Sequence, residues 1–161
     1  VRVQAAGQPV RAAAPEVELD GAPQVPQNGG LALVGIRKHF AEKTGIEVDF
    51  KAAGMKDCPL PLTVGISVYR SIQEAMNNVR KHACASRIVV RLVRAHPYII
   101  ARVEDDGVGF DVEKGMKISS SERRMGLFSI QQRMQLLGGE MSLRSEKGKG
   151  TRLAIRVPME D

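Results

Sequence analysis

The sequence predicts an α+β fold, a two-layer sandwich in which helices cover one face of a mixed β-sheet. Two observations indicate this class. Segments with apolar residues at helical spacing are interspersed with segments rich in β-branched residues, and the sequence contains no internal repeat. Hydrophobic residues make up 43% of the 161 residues, which is enough for the core of one two-layer domain.

The first half of the chain contains two predicted helices and one predicted strand. Apolar residues within residues 31–44 have the spacing of a short amphipathic helix. Apolar and charged residues alternate over residues 46–51, which predicts a half-buried strand, and residues 56–61 are predicted to form a loop. Residues 63–82 are predicted to form a long helix with one apolar face.

The second half of the chain contains four predicted strands and one further helix. Residues 88–93 and 98–103 are predicted to form a hairpin that turns at residues 95–97. A glycine-rich turn at residues 105–110 precedes a polar, weakly patterned stretch, residues 111–125, which is typical of a mobile loop. The remaining predicted elements are a helix and two strands joined by a turn, at residues 126–137, 140–145 and 151–157.

Composition limits the classes of partner. The net charge of +6 and the pI near 9.6 suit a small anionic ligand such as a nucleotide. Basic residues form no long cluster and aromatic residues amount to only 4%, so we do not expect nucleic-acid binding. Two cysteines, Cys58 and Cys84, are too few for a disulfide framework, and we expect thiols in a reducing compartment.

Residues 1–30 differ from the rest of the chain. They are rich in Ala, Pro, Gln and Gly and lack helical or strand periodicity, which predicts a linker or disordered arm. The chain begins with Val rather than Met, and we therefore expect a longer parent protein. No segment approaches the ~20 apolar residues of a membrane-spanning helix. We expect a cytoplasmic fragment without membrane contact, although the parent could be membrane-anchored.

The long predicted helix carries three polar residues on one face. Glu74, Asn78 and Lys81 are spaced i, i+4 and i+7, away from the apolar stripe, and Asn77 adds a second poor helix former. An Asn oxygen is a suitable ligand for Mg²⁺, a Glu can orient or deprotonate a nucleophile, and a Lys can meet a phosphate. The plainer alternative is a solvated polar face.

A second motif lies where a predicted strand ends, at Asp105-Asp106-Gly107-Val108-Gly109-Phe110. The glycines let the backbone turn and approach a ligand closely. A buried Asp at a strand end can accept a hydrogen bond from an exocyclic amine, which selects adenine over guanine. The alternative is a tight turn in which Asp and Gly serve turn geometry alone.

Two further motifs contain glycine beside basic residues. Gly126 and Leu127 are predicted to open a helix, with Arg123 and Arg124 just before it, and a helix N-terminus favours a phosphate. The segment Gly148-Lys149-Gly150-Thr151 lies between two predicted strands, where it could contact a ligand or form a plain hairpin turn.

In this order the four motifs resemble the N, G1, G2 and G3 boxes of the Bergerat-fold (GHKL) ATPases, which include gyrase, heat-shock chaperone, mismatch-repair and histidine-kinase ATPases. The resemblance covers about residues 31–158. Residues 73–83, 44–48 and 136–139 are in addition similar to the nitrate-sensor type of sensor histidine kinase. The resemblance implies that residues 31–161 form the ATP-binding (HATPase_c) catalytic domain of such a kinase.

The resemblance implies roles for individual residues. Asn78 would bind Mg²⁺, and Asp105 would bind the adenine amino group of ATP. Glu74 would orient the incoming histidine, and Lys81 or His82 would approach the phosphates. The other nucleotide contacts that it implies are Asn77, Gly107, Gly109, Phe110, Arg124, Gly126, Leu127, Gly148, Gly150 and Thr151.

One segment departs from the pattern of the family. Residues 111–125 would form the ATP lid, but many histidine kinases have two glycines in the G2 box, whereas Arg124-Met125-Gly126 has one. The behaviour of the lid hinge is therefore left open.

The implied reaction transfers the γ-phosphate to a histidine on a separate dimerisation and phosphotransfer domain, and then to a response regulator. A phosphoacceptor helix carries His followed by an acidic residue, and His39, His82 and His96 do not fit this pattern. We expect a homodimeric parent protein. Two alternatives stay open, a free-standing anti-sigma-factor serine kinase and a degenerate docking module without catalysis.

Overall fold

The computed structural model describes residues 30–55, 60–117 and 122–159. The predicted arm, apart from Gly30, and the predicted thiol Cys58 lie outside the described residues. Nine elements follow in chain order: α1 Gly30–Thr44, β1 Glu47–Ala53, α2 Leu62–His82, β2 Arg87–Ala95, β3 Tyr98–Asp105, α3 Val112–Lys117, α4 Glu122–Leu136, β4 Glu140–Ser145 and β5 Thr151–Pro158.

The five strands form one mixed sheet in the order β1-β2-β3-β5-β4. Strands β1 and β2 are parallel, with Glu47 opposite Arg87, and the crossover that parallel strands require contains α2. All other neighbours are antiparallel. The predicted α+β class and mixed sheet are therefore confirmed.

The core lies between one face of the sheet and helices α1, α2 and α4. Helix α2 contributes its predicted apolar stripe, of which Ile72 and Met76 are almost completely buried, and α4 contributes Ile130 and Met134. The opposite face of the sheet carries ion pairs, as the alternating strands predict. These pairs include Arg91–Asp49, Arg152–Glu104 and Arg156–Glu140.

The predicted mobile loop over residues 111–125 is wrong in two places. Residues 112–117 form α3, and α4 begins at Glu122, so Gly126 is the fifth residue of a helix rather than its opening. Residues 118–121 of the predicted loop lie outside the described residues. The sequence before Gly126 contains Glu, two Arg and Met, which are strong helix formers and extend the helix toward its N-terminus.

The predicted end of α4 is confirmed. Gly138 adopts a left-handed backbone with φ of 63°. The Gly139 N–H donates to the Met134 carbonyl at 2.7 Å, and the Gly138 N–H donates to the Gln135 carbonyl at 3.1 Å. This pair of bonds is a Schellman motif, which uses glycine because a side chain disfavours positive φ.

Candidate functional site

A cavity of about 40 Å³ lies between α2, α4 and the ends of β3 and β5. It is the place where the four sequence motifs meet. Its walls are mostly apolar, with a few polar side chains that converge on it. The lining residues are Ala75, Asn78, Val79, His82, Ala83, Val103, Asp105, Gly109, Phe110, Arg123, Leu127, Leu143, Thr151 and Leu153.

Asp105, at the last position of β3, is the acidic residue of the cavity wall within the described part of the chain. Its Oδ1 accepts a hydrogen bond from the Gly107 backbone N–H at 2.8 Å. Burial raises the pKa of the Asp105 carboxyl above its ordinary value, against the hydrogen bonds from the Gly107 and Thr151 backbone that lower it. A half-buried carboxylate of this kind gains from a ligand that donates hydrogen bonds to it.

The neighbouring Asp106 has a structural task. Its carboxylate accepts hydrogen bonds from the Ser86 N–H at 2.9 Å, from the Ser86 hydroxyl, and from the Arg87 N–H at 2.9 Å. The Ser86 hydroxyl and these backbone groups lower the pKa of the Asp106 carboxyl. Asp106 thus holds the segment between α2 and β2, while Asp105 faces the cavity.

The glycines of the second motif allow close backbone packing. A Cβ at Gly107 would clash with Ala83 at the end of α2, and the Val108 N–H donates to the Ala83 carbonyl at 2.8 Å. Gly109 has φ of 57° and lies against the backbone of Glu146, so a Cβ at Gly109 would overlap the Glu146 carbonyl oxygen. The motif is therefore packed tightly between the end of α2 and the β4–β5 turn, and this close packing requires glycine at both positions.

The glycines of the β4–β5 turn differ from each other. Gly150 lies against the Asp105 backbone, where a Cβ would overlap the Asp105 carbonyl oxygen. A Cβ at Gly148 would meet no atom of the described residues within 4 Å. This residue supplies positive φ to the turn, outside the cavity wall. The adjoining Thr151 lines the cavity.

Ser145, at the end of β4, is a residue of the site that the sequence analysis missed. Its hydroxyl accepts a hydrogen bond from the Phe110 N–H at 2.9 Å, donates to the Gly150 carbonyl at 3.0 Å, and lies 2.9 Å from the Thr151 hydroxyl. A signal was present, because Ser145 shares the inward-facing side of β4 with Met141 and Leu143. A polar side chain at such a position needs hydrogen-bond partners.

The polar face of α2 meets α4 at Gly126. A Cβ on Gly126 would overlap the Glu74 carboxylate and would lie 3.0 Å from the Asn78 amide nitrogen. The Asn78 amide nitrogen is buried and has no hydrogen-bond partner within the described part of the chain. The same amide carries an oxygen, which is the kind of hard ligand that Mg²⁺ prefers, so the Asn78 side chain fits such an ion.

Arg123, which the sequence analysis noted but did not select, lies in the cavity wall. Its Cζ is 4.4 Å from the centroid of the Phe110 ring, a cation–π distance. Burial lowers the pKa of the Arg123 guanidinium, and the charge of Asp105 counteracts this. The first turn of α4 thus puts a cation inside the cavity, next to its acidic residue.

The structure brings most of the predicted site residues together. Those in the cavity wall are Asn78, His82, Asp105, Gly109, Phe110, Leu127 and Thr151. Glu74, Gly107, Gly126 and Gly150 pack beside the wall. Four others are not in it: Asn77, exposed Lys81, Arg124 and Gly148. The basic residue that α4 contributes to the cavity is thus Arg123 rather than Arg124.

The mixed sheet with helices on one face, and the cavity at the ends of β3 and β5, define the GHKL class of ATPase fold. The chain belongs to the HATPase_c family, described as "Histidine kinase-, DNA gyrase B-, and HSP90-like ATPase", whose model matches residues 63–161.

Individual relatives are sensor kinases. The chain is 35% identical over 122 residues to the "Signal transduction histidine-protein kinase/phosphatase DegS" of Brevibacillus brevis, covering 76% of this chain and 30% of that protein. It is 37% identical over 139 residues to the "Sensor histidine kinase MctS" of Rhizobium johnstonii, covering 84% of this chain and 29% of that protein. The chain thus spans about a third of the length of these relatives.

The fold is similar to that of a solved structure, the histidine kinase domain of the Erythrobacter litoralis EL346 blue-light activated histidine kinase. The TM-score is 0.64 at 23% sequence identity, and the match covers 86% of this chain and 66% of that chain. Among the described residues, no helix has the length and apolar character needed to cross a membrane.

Proposed function

We propose that this domain binds Mg·ATP and serves as the catalytic domain of a sensor histidine kinase of the nitrate-sensor type. It would donate the γ-phosphate to a histidine on a separate dimerisation and phosphotransfer domain, from which a response regulator receives it. The observation that carries the proposal is the half-buried Asp105 carboxylate in a mostly apolar cavity, with Asn78 in the same wall.

Asp105 is suited to select adenine. Its carboxylate only accepts hydrogen bonds when ionised, and adenine presents an exocyclic amine as donor. Guanine presents a carbonyl oxygen at the corresponding ring position, which would face the carboxylate without a shared proton. The apolar walls of the cavity, among them Val79, Val103 and Leu153, suit the faces of a planar base.

The phosphates would lie toward the polar face of α2. Asn78 would hold Mg²⁺, which neutralises charge on the phosphate oxygens and assists transfer of the γ-phosphoryl group. The Glu74 carboxylate lies next to Gly126, beside the Asn78 amide. It would orient the attacking histidine nitrogen of the partner domain. Lys81, His82 and Arg124 are further candidates for phosphate contacts.

The cavity must enlarge before a nucleotide can enter. A volume of about 40 Å³ is far below the roughly 300 Å³ at which ligand pockets begin. Among the described side chains of α4, Arg123 and Leu127 line the cavity, so a movement of its first turns would provide the space. The small volume is also the observation that favours the second candidate function, a docking module that no longer binds nucleotide.

Thermal unfolding with and without Mg·ADP tests the proposal. At about 100 times its dissociation constant the ligand adds ~2.7 kcal/mol to the free energy of unfolding, which raises the midpoint by several degrees. We expect this rise for the wild type with Mg·ADP, a much smaller rise with Mg·GDP, and none for Asp105→Asn with Mg·ADP.

The matched control is Asp106→Asn, which alters the neighbouring carboxylate outside the cavity and should still respond to Mg·ADP. No rise in the wild type would contradict nucleotide binding and favour the docking module. Equal rises with Mg·ADP and Mg·GDP would contradict the role of Asp105 in base selection.

A further inference from the structure

The Ser145 hydroxyl joins three groups from two loops of the cavity. It contacts the Phe110 N–H at 2.9 Å, the Gly150 carbonyl at 3.0 Å and the Thr151 hydroxyl at 2.9 Å. Phe110 belongs to the loop after β3, whereas Gly150 ends the β4–β5 turn and Thr151 begins β5. A single side chain therefore fixes the relative position of both loops.

The hydrogen count of these groups fixes the direction of every bond. A serine hydroxyl has one hydrogen to donate and two lone pairs that accept. The carbonyl oxygen of Gly150 can only accept, so it takes the single hydrogen of Ser145, while the Phe110 N–H donates to one lone pair. The remaining Ser145 lone pair then receives the hydrogen of Thr151.

The direction of these bonds determines what Thr151 offers to a ligand. Because its only hydrogen is donated to Ser145, the Thr151 hydroxyl can only accept a hydrogen bond from a ligand in the cavity that Thr151 lines. The Asp105 carboxylate in the same wall is also an acceptor. The site therefore presents two acceptors, which match a ligand group with hydrogens to donate, such as an exocyclic amine.

We propose that Ser145 is a positioning residue that makes Thr151 an obligate acceptor and thereby contributes to the preference for a 6-amino purine over a 6-oxo purine. The inference rests on the proposed nucleotide binding and deepens it. Without the Ser145 hydroxyl, Thr151 can turn its hydrogen toward the cavity and donate to a carbonyl oxygen. Discrimination against a 6-oxo base would then weaken, even though Asp105 is unchanged.

The test is the ratio of the dissociation constants of Mg·IDP and Mg·ADP, measured by titration calorimetry. These nucleotides differ at the 6-position, where an amine is replaced by an oxo group, and at N1, which carries a hydrogen in the oxo form. We expect Ser145→Val to lower the IDP-to-ADP ratio about 2- to 10-fold, the range of one neutral hydrogen bond. Ser145→Thr keeps the hydroxyl and should retain the wild-type ratio.

Two further variants separate this role from general destabilisation. Ser142→Val changes an exposed residue of the same strand, on the other face of the sheet, and should leave the ratio unchanged. Thr151→Val removes the second hydroxyl, so we expect it to lower the ratio by itself. Adding Ser145→Val to it should cause no further change, and this comparison does not depend on the stability of the single Ser145 variant.

The outcomes distinguish this inference from the proposed function. An unchanged ratio in Ser145→Val and in Thr151→Val, with normal wild-type binding of Mg·ADP, would contradict the inference alone. A ratio lowered equally by Ser145→Thr would also contradict it, since that variant retains the hydroxyl. A folded wild type that binds neither nucleotide would contradict the proposed function itself.

Discussion

We expect the guanidinium of Arg123 to compete with a nucleotide base for the cavity, so Arg123→Ala should tighten the binding of adenosine. In the structure the Arg123 Cζ lies 4.4 Å from the Phe110 ring centroid, and both residues line the cavity with Asp105. A base that enters between Phe110 and Asp105 must displace this guanidinium. Removal of the side chain removes the competing contact.

The magnitude follows from the contacts that are lost. A cation–π contact contributes ~0.5–1 kcal/mol at an exposed site and about 2 kcal/mol when desolvated, and Arg123 is half-buried. The occupied arrangement is then favoured by about 1–2 kcal/mol, which is a factor of about 5 to 30 in an equilibrium constant. The apparent affinity falls by the fraction of molecules with an open site, so Arg123→Ala should tighten binding by roughly that factor.

Adenosine is the diagnostic ligand, because it has no phosphates with which Arg123 could form an attractive contact. We would titrate adenosine and Mg·ADP into the wild type, Arg123→Ala and a control, Arg94→Ala, which removes one exposed positive charge from β2. The control should match the wild type. An adenosine affinity that is unchanged or weaker in Arg123→Ala would refute the competition. A smaller gain for Mg·ADP than for adenosine would measure attraction of Arg123 to phosphates.

Two further predictions concern the pH dependence of stability and the labelling of the domain with phosphate. Burial raises the pKa of Asp105, so the folded state binds the proton of this carboxyl group more tightly than the unfolded state does. Ionisation of Asp105 therefore lowers the stability of the folded state as the pH rises through the raised pKa. Asp105→Asn should therefore raise the unfolding midpoint of the ligand-free domain at neutral pH. The difference from the wild type should shrink as the pH falls toward 3.8, the ordinary pKa of an Asp carboxyl. A lower midpoint of the variant at neutral pH would contradict this prediction. The purified domain with Mg·ATP should acquire no acid-labile phosphate, since His39, His82 and His96 lack the acidic neighbour of a phosphoacceptor. Addition of a histidine-containing phosphotransfer domain should restore labelling, and labelling of the domain alone would contradict the assignment.

The sequence predicted the fold because its local patterns agree with the tertiary packing. The apolar stripe on α2, the β-branched residues of β2 and β3, and the glycine pair after α4 each indicate an element that the structure contains. These signals come from residues close together in sequence, where periodicity is informative. The location of Asp105 in the cavity follows from the same reasoning, because a strand end followed by glycines limits where the carboxylate can lie.

The contributions of Ser145 and Arg123 depend on contacts that are distant in sequence. Ser145 accepts a hydrogen bond from the Phe110 N–H, which is 35 residues away in the sequence, and no local pattern connects the two residues. Arg123 and Arg124 are equivalent by composition, and only the helical phase of α4 against α2 puts Arg123 in the cavity. Such roles follow from packing rather than from propensity.

Gly126 shows why a glycine in the sequence can lead to a wrong prediction of where a helix begins. In a sequence, a glycine after polar residues can mark the boundary of a helix or a place where two helices approach closely. The first interpretation predicted a helix that opens at Gly126 with its N–H groups available to phosphate. In the structure those N–H groups lie inside α4, and the missing Cβ instead leaves room for the Glu74 carboxylate and the Asn78 amide. The same contact sets the first turns of α4, with Arg123, over the cavity. Because the same turns of α4 cover both the cavity and Asn78, we expect one movement of α4 to control nucleotide access and the exposure of the proposed Mg²⁺ ligand.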